Sequence, residues 1–328
     1  MIRRPISIII LLTIIPTLIL MFLLSSDPLF SLYAFITGPF SNSYSFDSML
    51  HRATPLILTS TGAFIALKTN SFNLGGEGQV YLGAMLTGIL SVYFIDLESP
   101  ITLIIIITIA LISTGTITWF SAWLEIKYKI SSLITTYLLS MITIHICNYF
   151  VTNPFLKANS NILTTENIPI SYTIHSGFII AVVIAIIISF LLKQSLLGFE
   201  LSISGKNRVF ADSMGINSVK YKYLGLTMSG VLHGAAGVLL VLGNYHSVIV
   251  GFYNGLGWNG LSSALLAGNT PISVILTSLF YAYLDTGASY ATITSDVTIE
   301  ISAIIKSILF FVISSKLIRS NIVKRSRL

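Results

Sequence analysis

Apolar residues in this chain come in long unbroken runs, not in the spaced stripe of a surface helix or the alternation of a half-buried strand. The first extends from Pro5 to Leu24 without a charge, just after Arg3 and Arg4. Others cover about Thr54–Leu67, Val80–Ile95, Pro100–Phe120, Ile130–Val151, Gly177–Leu192 and Tyr223–Leu242. A shorter pair, Gly260–Ala267 and Pro271–Leu284, flanks the breaker Gly268-Asn269-Thr270-Pro271, and the last run is about Val297–Ser315. A bilayer span takes roughly 20 apolar residues, so these runs predict ten segments, two of them too short to cross comfortably. Many are rich in Ile, Thr and Ser, which favour strands in water. They are too long for barrel strands and do not alternate, and in lipid a helix satisfies its own backbone. The expectation is an all-α polytopic membrane protein: one transmembrane domain over residues 1–328, with about ten transmembrane or half-spanning helices. The first run is long for a signal peptide, and Ser25-Ser26-Asp27 makes a poor cleavage site, so it reads as an anchor.

Composition sharpens this. Only 18 Lys+Arg and 12 Asp+Glu occur in 328 residues, 9% of the chain against about a quarter in a soluble domain. Hydrophobic residues make up 54% and the mean hydropathy is +0.87. A soluble globule and a disordered chain are both excluded. The single cysteine, Cys147, forbids an intrachain disulfide. His51, His145, His175, His233 and His246 are scattered without ligand spacing, so no metal site is expected and they read as packing or interfacial residues.

The net charge of +6 follows membrane orientation and not nucleic acid. Lys127 and Lys129 follow the fourth run, Lys193, Lys206, Arg208, Lys220 and Lys222 occupy the loop 193–222, and Lys316, Arg319, Lys324, Arg325 and Arg327 crowd the tail 316–328. Placing these in the cytoplasm with Arg3 and Arg4 requires an even number of crossings, puts both termini inside, and leaves only Arg52 and Lys157 opposite. The short pair of runs must then enter and return, turning at Gly268–Pro271.

Three stretches interrupt the apolar pattern. Ser71-Phe72-Asn73-Leu74-Gly75-Gly76-Glu77-Gly78-Gln79 places an acid and an amide among glycines that permit close helix approach. An acid at membrane depth points to function; a tight turn with a solvated glutamate is the plainer reading. Gly257-Trp258-Asn259-Gly260 repeats the spacing of Gly75-Gly76-Glu77-Gly78 before a helix predicted to run the opposite way. An inverted repeat, with a pathway at the interface of its halves, produces that pattern; chance does too. Phe252, Tyr253, Tyr245 and Trp258 precede the same segment, as an interfacial belt or as stacking groups for a base or sugar. In the loop 193–222, Val209, Phe210 and Met214 suggest an amphipathic cytoplasmic helix suited to a partner protein or to headgroups. Lys306 lies within the last run, and Asp285, Asp296 and Glu300 are its candidate partners.

These residues resemble the membrane permease subunits of ATP-binding-cassette importers for nucleosides and simple sugars. Phe72 to Gln79 is similar to that family's Phe-Asn-Ile-Gly-Ala-Glu-Gly-Gln signature. Gly198-Phe199-Glu200-Leu201 through Gly205, Asn207, Ala211, Gly215 and Ile216 resembles its cytoplasmic coupling segment. Gly257 to Gly260, with Ala264-Leu265-Leu266 and Asn269-Thr270-Pro271, resembles a third block, and the likeness runs from about Thr54 to Ser315. The nucleoside-type permeases are nearer than the ribose type. Three departures stand out. Ser131-Ser132-Leu133-Ile134 replaces the family's Asn-Glu-Val-Ile. Lys206 and Arg208 flank Asn207 without the usual following proline, and Lys306 takes a usually uncharged place.

The resemblance implies a bacterial cell-membrane subunit with no cofactor and no enzymatic activity of its own. No Gly-x-x-x-x-Gly-Lys-Ser/Thr loop occurs in the chain, so hydrolysis falls to a separate cytoplasmic ATPase. Glu200, Gly205, Lys206, Asn207, Ala211, Gly215 and Ile216 would meet that ATPase. A second permease, identical or related, and an extracytoplasmic solute-binding protein complete the implied assembly within membrane lipid. Asn73, Glu77, Gln79, Trp258 and Asn259 are the candidates for the pathway. The competing class is an ion-coupled secondary transporter in which Glu77 or the Lys306 group carries a proton. A membrane-embedded enzyme lacks a catalytic constellation.

Overall fold

A computed structural model describes residues 25–94, 100–168, 174–308 and 310–311, with positions 15, 19, 22 and 23. The run Pro5–Leu24 lies otherwise outside the described residues, as do the basic tail 316–328 and both termini. Helices dominate: α1 Pro28–Thr37, α2 Ser43–Lys68, α3 Gly76–Ile89, α4 Pro100–Tyr128, α5 Ser132–Thr152, α6 Ile174–Gln194, α7 Leu196–Lys206, α8 Arg208–Ser213, α9 Ser218–Leu240, α10 Leu256–Ala267 and α11 Ser273–Thr294. A further helical stretch, α12, covers 300–308. Among the described residues the sole β pairing is an isolated bridge from Thr164 to Ile249. Four helical stretches, Pro100–Tyr128, Ser132–Thr152, Gly177–Gln194 and Ser218–Tyr245, are long and apolar enough to cross a bilayer. Each apolar run from Thr54 onward is thus mainly helical where it is described, with non-helical ends at Ile130–Ser131, Pro271–Ile272 and Val297–Ile299.

Hydroxyl residues are accommodated in these helices by local bonding. Thr108, Ser113 and Thr116 donate to the carbonyls of Ile104, Ile109 and Ile112, four residues back, at 2.7–2.8 Å. Each hydroxyl is then satisfied without a partner in lipid, which is why a chain rich in Ser and Thr spans as helix.

The chain divides into two compact units: Thr54–Ser278, and Met1–Ala53 with Leu279–Leu328. In the larger unit α9 packs on α3 and α4 through small residues. A methyl group added at Gly237 would stand 2.0 Å from the Val80 carbonyl oxygen, and one at Gly83 would stand 2.4 Å from the Gly234 oxygen. Gly230 and Gly234 likewise face Thr118 and Thr114 of α4. Such backbone-to-backbone seams suit a membrane protein, where lipid is as apolar as leucine and close contact must supply the attraction.

In the smaller unit Ala34 and Phe35 pack with Leu284, Ala288, Ala291, Val297, Ile301 and Ile305. Beside this core Lys306 Nζ lies 2.6 Å from Asp285 Oδ1, which also accepts from the Ser302 hydroxyl at 2.9 Å. Of the three candidate acids, Asp285 is the partner. The two charged side chains are 11% and 18% exposed, so removing one leaves the other largely desolvated. Lys306→Met is expected to destabilise the protein by about 2 kcal/mol. Lys306→Met with Asp285→Leu should cost less than Lys306→Met alone, as read by thermal unfolding in detergent.

Candidate functional site

The segment 71–79 is built to end one helix and begin the next. At the close of α2, Asn70 takes a positive φ of 55°, and Ser71 N donates to the Ala66 carbonyl at 3.0 Å, a left-handed cap that asparagine tolerates. Five residues without regular structure, 71–75, follow before α3 opens at Gly76. The first-turn N–H groups of a helix have no intrahelical acceptor, and here α5 supplies hydroxyls one turn apart. Leu74 N donates to Thr136 Oγ1 at 3.0 Å and Gly78 N to Ser140 Oγ at 2.9 Å. Gly75 N donates to Asn73 Oδ1 at 3.0 Å.

Asn73 and Gln79 face each other. Asn73 Nδ2 donates to Gln79 Oε1 at 2.8 Å, Gln79 Nε2 donates to Asn73 Oδ1 at 2.9 Å, and Asn73 Nδ2 also reaches Ser229 Oγ on α9 at 2.9 Å. Both side chains are buried, at 3% and 1% exposure. Their amides therefore lock the turn before α3 onto α9.

Glu77 points elsewhere. Its Oε1 accepts from Gly255 N at 2.8 Å, and Gly255, with φ of 81°, is the residue from which α10 begins. The two glycine-rich stretches meet here: a methyl on Gly76 would stand 2.8 Å from Gly257 Cα, and one on Gly257 would stand 2.7 Å from Glu77 N. From this crossing α3 and α10 run to opposite ends. Gly88 of α3 abuts Val248, whereas Lys68 Nζ reaches the carbonyl of Asn269, just past α10, at 3.4 Å. Two helix N-termini thus converge on one carboxylate, the charge their dipoles favour. Glu77 is half-buried, Asn259 is half-buried with its N–H on the Gly255 carbonyl at 2.8 Å, and Trp258 is exposed.

Three of the four aromatics near the start of α10 gather around Tyr81, and the fourth, Trp258, lies within α10. Tyr253 stacks on it at 4.6 Å, Phe252 meets it edge-on at 5.7 Å, and Tyr245 lies 5.6 Å from Phe252. Tyr81 Oη donates to Asn148 Oδ1 at 2.9 Å. Tyr81 and Asn148 were not singled out in the sequence, because neither sits in a glycine-rich stretch. Among the described residues no group of three His, Cys, Asp or Glu could hold a metal ion.

The loop 193–222 folds as two short helices capped by side chains. Ser195 Oγ accepts from Gly198 N at 3.2 Å at the start of α7, and Asn207 Oδ1 accepts from Phe210 N at 3.0 Å at the start of α8. Gly215 closes α8 with φ of 79° while Ile216 N donates to the Ala211 carbonyl at 3.0 Å. Ala211 and Ile216 face inward, and Lys206, Asn207, Val209, Phe210 and Met214 are exposed. Glu200 accepts from the Tyr221 hydroxyl, tying α7 to α9. The Ser218 hydroxyl and N–H hold the Asp212 carboxyl below its ordinary range. Gly205 sits against the end of α2: a methyl there would stand 2.0 Å from the Lys68 carbonyl oxygen and 2.9 Å from Thr69 C. One backbone contact therefore joins α7 to the turn that leads into 71–79.

Long apolar helices, breaks in the helical path at glycine and a converging pair of helix starts define a multi-pass membrane permease. The family described as branched-chain amino acid transport system / permease component matches residues 45–314, and the chain belongs to it. It is 28% identical over 86% of its length to the guanosine ABC transporter permease protein NupP of Bacillus subtilis (strain 168), covering 84% of that protein. It is 25% identical to the probable riboflavin import permease protein RfuC of Treponema pallidum (strain Nichols), over 90% of this chain and 80% of that one. The nucleoside ABC transporter permease protein NupB of Lactococcus lactis subsp. cremoris (strain MG1363) is 24% identical over 92% of this chain and 87% of its own. Among solved structures, PsaBC from Streptococcus pneumoniae in complex with Fab aligns with a TM-score of 0.51 at 14% identity, covering 86% of this chain and 95% of that one, a likeness of fold. The chain is the translocation subunit of an ABC transporter. An ATPase and a solute-binding protein are the partners such a subunit implies, and hydrolysis lies on the former.

Proposed function

We propose that this chain is one of a pair of permease subunits, identical or related, in a bacterial importer of nucleosides or related simple sugars. In this reading it lies in the inner membrane, with about ten spanning or half-spanning segments and both termini cytoplasmic. The observation that carries the proposal is the pair α7–α8. It exposes Val209, Phe210 and Met214 outward while its Gly205 backbone seats on the end of α2. Exposed apolar groups on short capped helices suit a protein partner, and the seat passes any displacement to the turn before α3. The cytoplasmic ATPase docks on α8 around Lys206 and Asn207. Ala211, Gly215 and Ile216 hold the docking turn in shape, and Glu200 anchors α7.

Closure of the ATPase then shifts α7, the α2 end and the segment 71–79, and the Gly76–Gly257 crossing parts. Glu77, Trp258 and Asn259 face the opened path, and the Asn73–Gln79 pair keeps α3 registered on α9 while it moves. The substrate class follows the relatives named as guanosine and nucleoside permeases.

Phe210→Asp tests the docking role. It is expected to lower co-purification of a co-expressed cassette ATPase at least tenfold, with thermal stability in detergent unchanged because Phe210 is already exposed. Undiminished ATPase binding would contradict the assignment. Uptake of labelled guanosine measured beside ribose and glucose then tests the substrate class.

A further inference from the structure

His233 lies one turn after Ser229 on α9, and its side chain is fully buried. Nδ1 stands 2.7 Å from the Ser229 carbonyl oxygen. A carbonyl only accepts, so Nδ1 carries the proton, and the neutral ring leaves a lone pair on Nε2. Among the described residues that lone pair has no hydrogen-bond partner. It is aimed at the helix crossing: a methyl on Gly76 would stand 2.8 Å from Nε2 and 2.8 Å from Gly257 Cα. Gly62 covers the opposite edge, where a methyl would stand 2.9 Å from Nδ1. Gly62 and Gly76 thus close over an imidazole whose acceptor is unused, with Gly257 packed against Gly76. A buried acceptor without a donor is costly, and neither of the glycines in front of it offers a donor side chain.

The same crossing holds Glu77, whose carboxylate accepts from Gly255 N across the two helix starts. Parting α3 from α10 would uncover Nε2 and free the Glu77 carboxylate oxygen that now accepts from Gly255 N. We propose that His233 Nε2 and the Glu77 carboxylate both read the solute at this crossing, accepting hydrogen bonds from a neutral molecule with several donors such as the hydroxyls of a ribose. The inference rests on the chain being a nucleoside or sugar permease. Two acceptors at one crossing suit a solute that carries more than one hydroxyl. They repel a phosphate, whose oxygens would meet a carboxylate and a lone pair, so the crossing admits nucleosides and rejects nucleotides. Glu77 already supplies the negative charge that the helix N-termini attract, which leaves a second anion nothing to gain. In the closed state the Gly255 N–H and the glycine cover stand in for the solute.

The unprotonated Nε2 lone pair is also the nucleophile that diethylpyrocarbonate acylates, releasing ethanol and carbon dioxide, and this makes its exposure measurable. The complete transporter in proteoliposomes is treated with the reagent at rest and during ATP turnover, and modified histidines are mapped by mass spectrometry, with the other four as reference. The expected result is at least a tenfold faster modification of His233 during turnover. Whichever of guanosine, ribose and glucose is taken up should slow it again, and guanosine monophosphate should not. ATP-driven uptake with His233 unmodified, or modified without protection by the transported solute, would overturn this inference and leave the permease reading standing. Uptake of none of the three would overturn the substrate class and the inference with it. His233→Gln, which keeps an acceptor of similar reach, should retain transport better than His233→Leu by at least tenfold at equal assembly; equal losses would mean the ring serves packing alone.

Discussion

Gly205→Val is expected to cut ATP-driven uptake at least tenfold while the cassette ATPase stays bound. A single methyl at this position would stand 2.0 Å from the Lys68 carbonyl oxygen and 2.9 Å from Lys68 C and Thr69 C. These are backbone atoms at the end of α2, and they cannot swing aside as a flexible side chain would. Valine therefore lifts the C-terminal end of α7 away from α2. The exposed residues Val209, Phe210 and Met214 lie on the far side of that contact and keep their docking surface. Hydrolysis should continue, measured as phosphate release, without the accompanying uptake. Loss of ATPase binding would instead mean that Gly205 belongs to the docking face, and unchanged uptake would mean that the α2 end transmits nothing.

The second large effect concerns the buried amides. Asn73→Ala removes the acceptor of Gly75 N–H and Gln79 Nε2–H and the donor to Gln79 Oε1 and Ser229 Oγ. Gln79 is 1% exposed, so water does not replace what is lost. A loss of about 3 kcal/mol is expected, each orphaned buried group costing roughly 1–3 kcal/mol. Thermal unfolding in detergent reads it. Gln79→Ala should be nearly as damaging, and the double change Asn73→Leu with Gln79→Leu should cost clearly less than the sum of the singles, because neither side-chain amide is then left without the other. Additive losses would show that the two side chains act separately.

Much of this architecture was legible in the chain, because a span must be apolar along its whole length and lipid leaves the backbone only the helix. Each described run from Thr54 onward obeys that rule. The helix Pro28–Thr37 was not anticipated, since it mixes Ser31 and Thr37 with its apolar residues; its signal was Asp27-Pro28, an N-cap followed by the proline that suits a first helical position. The loop 193–222 was expected to carry one amphipathic helix; it carries two short helices, broken at Asn207, whose side chain caps the second.

The repeated spacing of the two glycine-rich stretches was legible, but an inverted repeat or chance explained it equally; their contact depends on a left-handed Gly255 and a five-residue irregular turn that no periodicity encodes. Asn73 and Gln79 were singled out because polar residues stand out against apolar sequence. Only the folded turn shows them paired with each other, with Glu77 left as the acid that spans the crossing. His233 carried no signal at all, since its meaning comes from Ser229 one turn before it and from glycines on α2, α3 and α10.

The central claim is that motion received from a bound ATPase at α7 and α8 opens this chain to its solute. Purified protein in proteoliposomes, with its partner permease, the ATPase and the loaded binding protein, measures it directly as guanosine accumulation. The account predicts accumulation that requires ATP on the ATPase side and disappears when that subunit is omitted. Accumulation driven by a proton or sodium gradient with the ATPase absent would contradict it.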